Sequence, residues 1–177
     1  MKQIVYLMIL VVHLFLGGCQ DSSFNAYRVT KHLIGKQINM NWKYEMYPND
    51  KDISNNPSNY KVIIHIPEHL CITCLTTFID SCKRYAKKYE SEKLCIYLIL
   101  DCKNEEFKKV KTLLAGSNNV YVINDINQSF LKKNSIEKYT DYFHSFLLDH
   151  NNKILLIGNP IRSKRIFDLF DKQIMHQ

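Results

Sequence analysis

Residues 60–89, YKVIIHIPEHLCITCLTTFIDSCKRYAKKY, decide the reading of the fold. From Tyr60 to Ile66 the chain is almost continuously apolar over the length of a strand, which predicts a strand buried in a sheet. From Thr73 to Tyr89 the period changes. Leu75, Phe78, Ile79, Cys82 and Tyr85 recur at helical spacing, with Lys83, Arg84, Lys87 and Lys88 on the other side. At the junction stand Cys71 and Cys74, enclosing Ile72 and Thr73. A thiol in the first turn of a helix faces unpaired backbone N–H groups and the positive end of the helix dipole, so its thiolate is favoured. A CxxC also serves as half of a zinc site, but such sites bring a second CxxC or paired histidines. No second CxxC occurs here; Cys19, Cys82, Cys95 and Cys102 are scattered singly.

Towards the C-terminus, strand and helix patterns alternate. Leu94 to Leu100 reads as a second buried strand, and Asn104 as the cap of a helix with Phe107, Val110, Leu113 and Leu114 inward, closed by Gly116. Val120 to Ile123 is a third strand, followed by a short helical stretch from Gln128 to Lys133. Two apolar runs, Phe143 to Leu148 and Ile154 to Ile157, are joined by Asp149, His150, Asn151 and Asn152, a hairpin pattern. Asn159 and Pro160 are suited to start the last helix, whose inner face is Ile166, Phe167, Phe170 and Ile174. The order predicts an α/β fold, a mixed central sheet flanked by helices. Cys82, on the helix stripe, and Cys95, inside a strand, are expected in the core. Cys102 lies just past the strand end, at the edge where sites form in open α/β sheets; a resolving thiol and an incidental one both fit.

Towards the N-terminus, Lys2 precedes an apolar run from Ile4 to Leu16 that closes on Leu16-Gly17-Gly18-Cys19. A charged start, a short apolar middle and a small-residue exit mark residues 1–18 as a secretory signal, too short for a spanning helix. The four closing residues resemble a bacterial lipobox, which implies cleavage before Cys19 and acylation of that cysteine. Two or more acyl chains hold a protein stably on a membrane. The expected location is therefore extracytoplasmic and lipid-anchored. Residues 19–59 are expected to form a tether and N-terminal extension, with a helix near Phe24 to Leu33, packing aromatics at Trp42 and Tyr44, and a polar connector from Asn49 to Asn59. Residues 60–177 form the main domain. In an oxidising compartment Cys71 and Cys74 are the expected disulfide pair.

The chain is basic, with a formal net charge of +7. Its lysines and arginines sit on helix faces opposite apolar ones and do not alternate with aromatics, so no nucleic-acid partner is expected. No phosphate-binding loop, Ser/His/Asp arrangement or pair of catalytic carboxylates is found. Neither a cofactor nor a metal is expected from these motifs.

The arrangement resembles the thioredoxin-like fold, and in particular redoxin-type lipoproteins of Bacteroidetes-type bacteria. The resemblance covers roughly residues 31–177 and is carried by the CxxC after the first main strand and by Phe146-Leu147-Leu148-Asp149 with Asn151-Asn152-Lys153-Ile154. Leu156 to Pro160 and Ile34 to Ile38 add to it. It implies a thiol–disulfide oxidoreductase acting on a protein thiol or disulfide, together with a separate redox partner. Cys71 would be the nucleophile, nearer the helix start and more exposed, and Cys74 the resolving thiol buried by the helix. The chain departs from the family at Leu70 and Thr73, where thioredoxins carry Trp and Pro. It also lacks the cis-proline before the hairpin strand: the matching position is Phe143 or His144. A non-proline cis bond costs about 2.5–4 kcal/mol, so a trans peptide is expected there.

His65 stands six residues before Cys71, where thioredoxins keep a buried acid. Imidazole exchanges a proton near neutral pH, so His65 is a candidate relay for Cys74; a strand histidine that is merely hydrogen-bonded is the other reading. His69 either stabilises the Cys71 thiolate or is solvated. The alternative function is a thioredoxin-fold module without turnover, either an interaction domain or a holder of a soft metal such as Cu(I) through Cys71, Cys74 and a histidine.

Overall fold

The computed structural model describes residues 21–42, 44–48, 58–67 and 72–175. The chain forms two compact units, residues 1–33 and 34–177. The described part of the first is a single helix, α1 (Asp21–Leu33), with Lys31 and His32 in its last turn, where cations oppose the negative end of the dipole. Among the described residues no helix is long and apolar enough to cross a membrane. The signal, Cys19 and most of the polar connector, residues 49–57, lie outside the described residues.

The second unit is built on six strands: β1 (Glu45–Tyr47), β2 (Tyr60–Ile66), β3 (Leu94–Leu100), β4 (Val120–Asn124), β5 (Ser145–Asp149) and β6 (Ile154–Ile157). Between them lie α2 (Ile72–Lys88), α3 (Asn104–Leu114), α4 (Ser129–Lys133) and a 3-10 turn (Asp141–Phe143), with α5 (Lys164–Met175) at the end. The sheet order is β1-β4-β3-β2-β5-β6. β2 runs parallel to β3 and β3 to β4, whereas β5 is antiparallel to β2 and β6 to β5. β1, within the stretch 19–59, adds an antiparallel edge to β4.

The mixed sheet flanked by helices agrees with the sequence. β2 and β3 are buried along their whole length, as their largely apolar runs predict, and in β2 this burial includes Lys61 and His65. Both crossovers, β2-α2-β3 and β3-α3-β4, step the same way across the sheet, and right-handed crossovers then put both helices on one face. There Leu75, Phe78 and Ile79 of α2, Phe107 and Val110 of α3 and Phe170 of α5 join Tyr60, Val62, Ile64 and Ile66 of β2 in one core. The Trp42 ring lies 4.9 Å from that of Tyr44 and 5.1 Å from that of Phe130 of α4, both tilted, tying the segment before β1 to the domain.

Apart from one-residue shifts in α2 and at the end of β4, three boundaries differ from expectation for local reasons. Asn104 is not the cap of α3 but its first residue: Lys103 holds the cap position, and its N–H donates to Glu106 Oε2 at 3.3 Å. Gly116, at φ +77°, ends this helix region in the left-handed conformation that glycine adopts freely. Phe143 lies in the 3-10 turn, so β5 begins only at Ser145. At the last helix, Asn159 Oδ1 accepts from the N–H groups of Ile161 and Arg162, forming a closed turn. The helix starts later, at Lys164, with Ser163 Oγ accepting from Ile166 N–H.

Candidate functional site

α2 leaves the C-terminal edge of β2, and its first turn carries Cys74. No acidic side chain stands in that turn to offset the positive end of the dipole. Cys74 is exposed. This corrects the expectation that the helix buries it. Leu75, Phe78, Ile79, Cys82, Tyr85 and Tyr89 face the sheet, and Cys74, four residues before Phe78, stands at the margin of that stripe in the first turn. Cys71 precedes the first residue of α2 in the chain and, like His69 and Leu70, lies outside the described residues.

Cys82 is fully buried, and burial pushes its thiol up to about 12, so it is an inert part of the core, as expected. Cys95 is buried within β3. Cys102 stands two residues past the end of β3, half-buried. Asn124 Oδ1 accepts from its backbone N–H at 3.3 Å and from its thiol at 3.8 Å. Burial first, then Glu106, Asp101 and Glu45, push this thiol up to about 11, which keeps it protonated at neutral pH. With Ile66, Pro67, Leu75, Val110 and Leu113 it lines a small cleft of about 50 Å³ between α2 and α3, open to solvent.

His65 faces away from α2 and is 8% exposed. Its backbone N–H donates to the carbonyl of His144 at 3.2 Å, and the two rings meet edge to face at 5.5 Å. Its Nδ1 is buried without a hydrogen-bond partner. Burial, and next the neighbouring His144, lower its pKa to about 4 against the opposing pull of Asp141. At neutral pH His65 is therefore an uncharged imidazole, on which a proton is costly to place.

His144, 3% exposed, is the residue that sequence reasoning missed, having weighed it only as a place for proline. Its Nε2 lies 3.0 Å from the carbonyl oxygen of Ile136. A carbonyl only accepts, so this nitrogen carries the hydrogen. Its Nδ1 lies 3.5 Å from Asp141 Oδ1, without hydrogen-bond geometry. The one available signal was its place just before a predicted strand that pairs with the strand holding His65. The peptides around Phe143 and His144 are trans as expected; among the described residues the cis bond is Tyr47–Pro48. Among the described residues no group of three His, Cys, Asp or Glu side chains is arranged to hold a metal.

No protein-family model and no curated protein matches the chain. Solved structures do. A cysteine-to-serine mutant of Xylella fastidiosa PrxQ superposes with a TM-score of 0.58 at 12% identity, covering 79% of this chain and 96% of that one. A candidate thiol-disulfide oxidoreductase from Bacteroides vulgatus gives 0.57 at 16% identity, with 80% and 97% covered. A thioredoxin-like protein from Bacteroides caccae gives 0.53 at 14% identity; 81% of this chain matches 50% of that one. The fold is thioredoxin-like.

Proposed function

We propose that the protein is an extracytoplasmic thiol–disulfide oxidoreductase that works through Cys71 and Cys74 and is held on a bacterial membrane by acylated Cys19. The observation that carries this reading is Cys74, an exposed thiol in the first turn of α2, at the positive end of a helix that leaves the C-terminal edge of β2. The names of the fold neighbours point the same way. The Cys71 thiolate attacks one sulfur of a substrate disulfide, and the other sulfur leaves as a thiolate that takes up a proton. Cys74, as thiolate, then attacks Cys71 Sγ in the mixed disulfide and expels the remaining substrate sulfur. The substrate gains two electrons and two protons, and Cys71 and Cys74 end as a disulfide. A separate redox protein returns the pair to the dithiol state. The exposure of Cys74 leaves its sulfur open to the mixed disulfide that it resolves.

Insulin reduction by dithiothreitol tests this. The wild-type protein is expected to accelerate it, Cys71→Ser to abolish the acceleration, and Cys74→Ser to accumulate a mixed disulfide. Acceleration that survives Cys71→Ser would sink the reading. So would a wild-type protein that neither accelerates reduction nor, as Cys74→Ser, traps any substrate; Cu(I) titration of the reduced protein then separates metal holding from an interaction role.

A further inference from the structure

Where the parallel strands β2 and β3 run out, the small cleft between α2 and α3 opens to solvent, at the edge where ligands settle in open α/β sheets. Its walls are Ile66, Leu75, Leu100, Val110 and Leu113, all buried except the half-buried Leu113. Cys102 adds a sulfur whose hydrogen is already directed to Asn124 Oδ1, so it presents no free donor to a ligand. The cleft therefore offers apolar surface, which gains by being covered. Its volume of about 50 Å³ holds roughly four water-sized groups, the size of a branched aliphatic side chain and smaller than an aromatic ring.

We propose that this cleft receives a leucine or isoleucine side chain of the substrate protein, carried by a basic segment beside the cysteine that the substrate brings to exchange. The nearness to that cysteine rests on the dithiol reading above; the occupancy of the cleft does not. Leu75, in the cleft wall, directly follows Cys74 in the first turn of α2. Consecutive Cα atoms lie about 3.8 Å apart, so a side chain roughly one to three residues from a cysteine held at that turn reaches the cleft.

The rim selects by charge. Asp101 and Glu106 stand there with Lys109, two carboxylates against one ammonium. After burial, Glu106, Asp101 and Glu45 are the groups that hold the Cys102 thiol in its protonated form, so the field in the cleft is negative. Glu106 and Lys109 are exposed and Asp101 is half-buried, so salt weakens this field without abolishing it. A lysine or arginine beside the aliphatic residue meets the two carboxylates, whereas an acidic neighbour is turned away.

Blocked heptapeptides test this: Gly-Lys-Leu-Ser-Leu-Lys-Gly, with serine in place of the cysteine, a form with asparagine for both leucines, and a form with aspartate for both lysines. In methyl NMR of the intact reduced protein, the Leu75, Val110 and Leu113 signals are expected to shift saturably with the first peptide. The asparagine form is expected to bind about tenfold more weakly, and the aspartate form about threefold. Leu113→Asn brings the leucine and asparagine peptides within about threefold of each other. Glu106→Gln, at an exposed position, narrows the lysine–aspartate difference and serves as the test if the Leu113 variant does not fold. Equal binding of the leucine and asparagine peptides, or shifts confined to other parts of the domain, overturns the proposal. With cysteine restored and joined in a disulfide, kcat/KM for reduction is expected to follow the same order. Peptides that bind at the cleft and are not reduced overturn the dithiol reading and leave the cleft assignment standing; peptides reduced without preference overturn the cleft assignment and leave the dithiol reading standing.

Discussion

Along β2, Tyr60, Val62, Ile64 and Ile66 point into the layer formed with α2, α3 and α5, while Lys61, Ile63 and His65 point the other way. Every one of the seven is buried, yet the first set is apolar apart from the Tyr60 hydroxyl, and the second buries an ammonium and an imidazole. The two polar residues are themselves treated differently. Lys61 Nζ donates to Asn152 Oδ1 at 2.8 Å and to His150 O at 3.4 Å, so it is anchored to the turn between β5 and β6. His65 Nδ1 has nothing. A buried polar group with partners is explained by the fold it ties together, whereas one without them marks a place where chemistry competes with stability. One face of the strand is a uniform apolar core, and the other buries one polar side chain with partners and one without.

The largest effect is expected on the apolar face. Phe170 of α5 is fully buried against it, and Phe170→Ala leaves a cavity that costs about 3–5 kcal/mol. Urea unfolding followed by circular dichroism measures this. A loss below about 1 kcal/mol would mean that α5 is not part of the continuous core and would break the contrast between the faces.

On the polar face, His65 makes stability depend on pH. Its folded pKa of about 4 lies below the ordinary 6.5, so the neutral ring is the one that folding favours. That stabilisation is complete above pH 6.5 and is lost as pH falls through the folded value, a change of about 3 kcal/mol. His65→Phe is expected to lack this component, so the difference in stability between variant and wild type moves by that amount between neutral pH and about pH 4. Parallel pH profiles for the two proteins would show that the ring is already free to charge in the folded state.

This contrast explains what could be read from the sequence. Tyr60–Ile66 and Leu94–Leu100 have the bounds their apolar runs mark, because a central strand is buried on both sides and reads as a nearly continuous apolar run even with Lys61 and His65 in it. α2 is displaced by a single residue from the expected Thr73 to Tyr89. Cys74, four residues before Phe78 and so at the margin of the same stripe, is exposed at the first turn, which the periodicity alone does not show. Harder to read were features set by two distant segments. β1 is three residues long and exists only because β4 offers an edge. His144 has no local pattern, and its ring matters only because β5 returns beside β2 and sets it against His65. The start of α5 was misplaced because Asn159 closes a turn of its own, and a cap and a turn use the same side-chain chemistry.

The smallest effect, and the sharpest test of the distinction between satisfied and unsatisfied burial, is expected at Lys61. Its ammonium is wholly shielded, and burial lowers its pKa below 10.5 while Cys95 and Asp149 pull the other way. Near neutral pH the amine is charged in the folded and unfolded chain alike, so folding bears the desolvation of a cation. Methionine matches the length of the stem without the charge. The acceptors it abandons belong to a turn in which His150 is exposed and Asn152 half-buried, where water can replace the lost donor. Lys61→Met is therefore expected to stabilise the domain by about 1 kcal/mol at neutral pH. Because the folded pKa is the depressed one, wild-type stability recovers as pH rises through that value towards 10.5, and the advantage of the variant shrinks over the same range. A variant less stable than wild type at neutral pH would instead show that the hairpin turn depends on the ammonium, and that Lys61 contributes more as a tie between β2 and the β5–β6 turn than it costs as a buried charge.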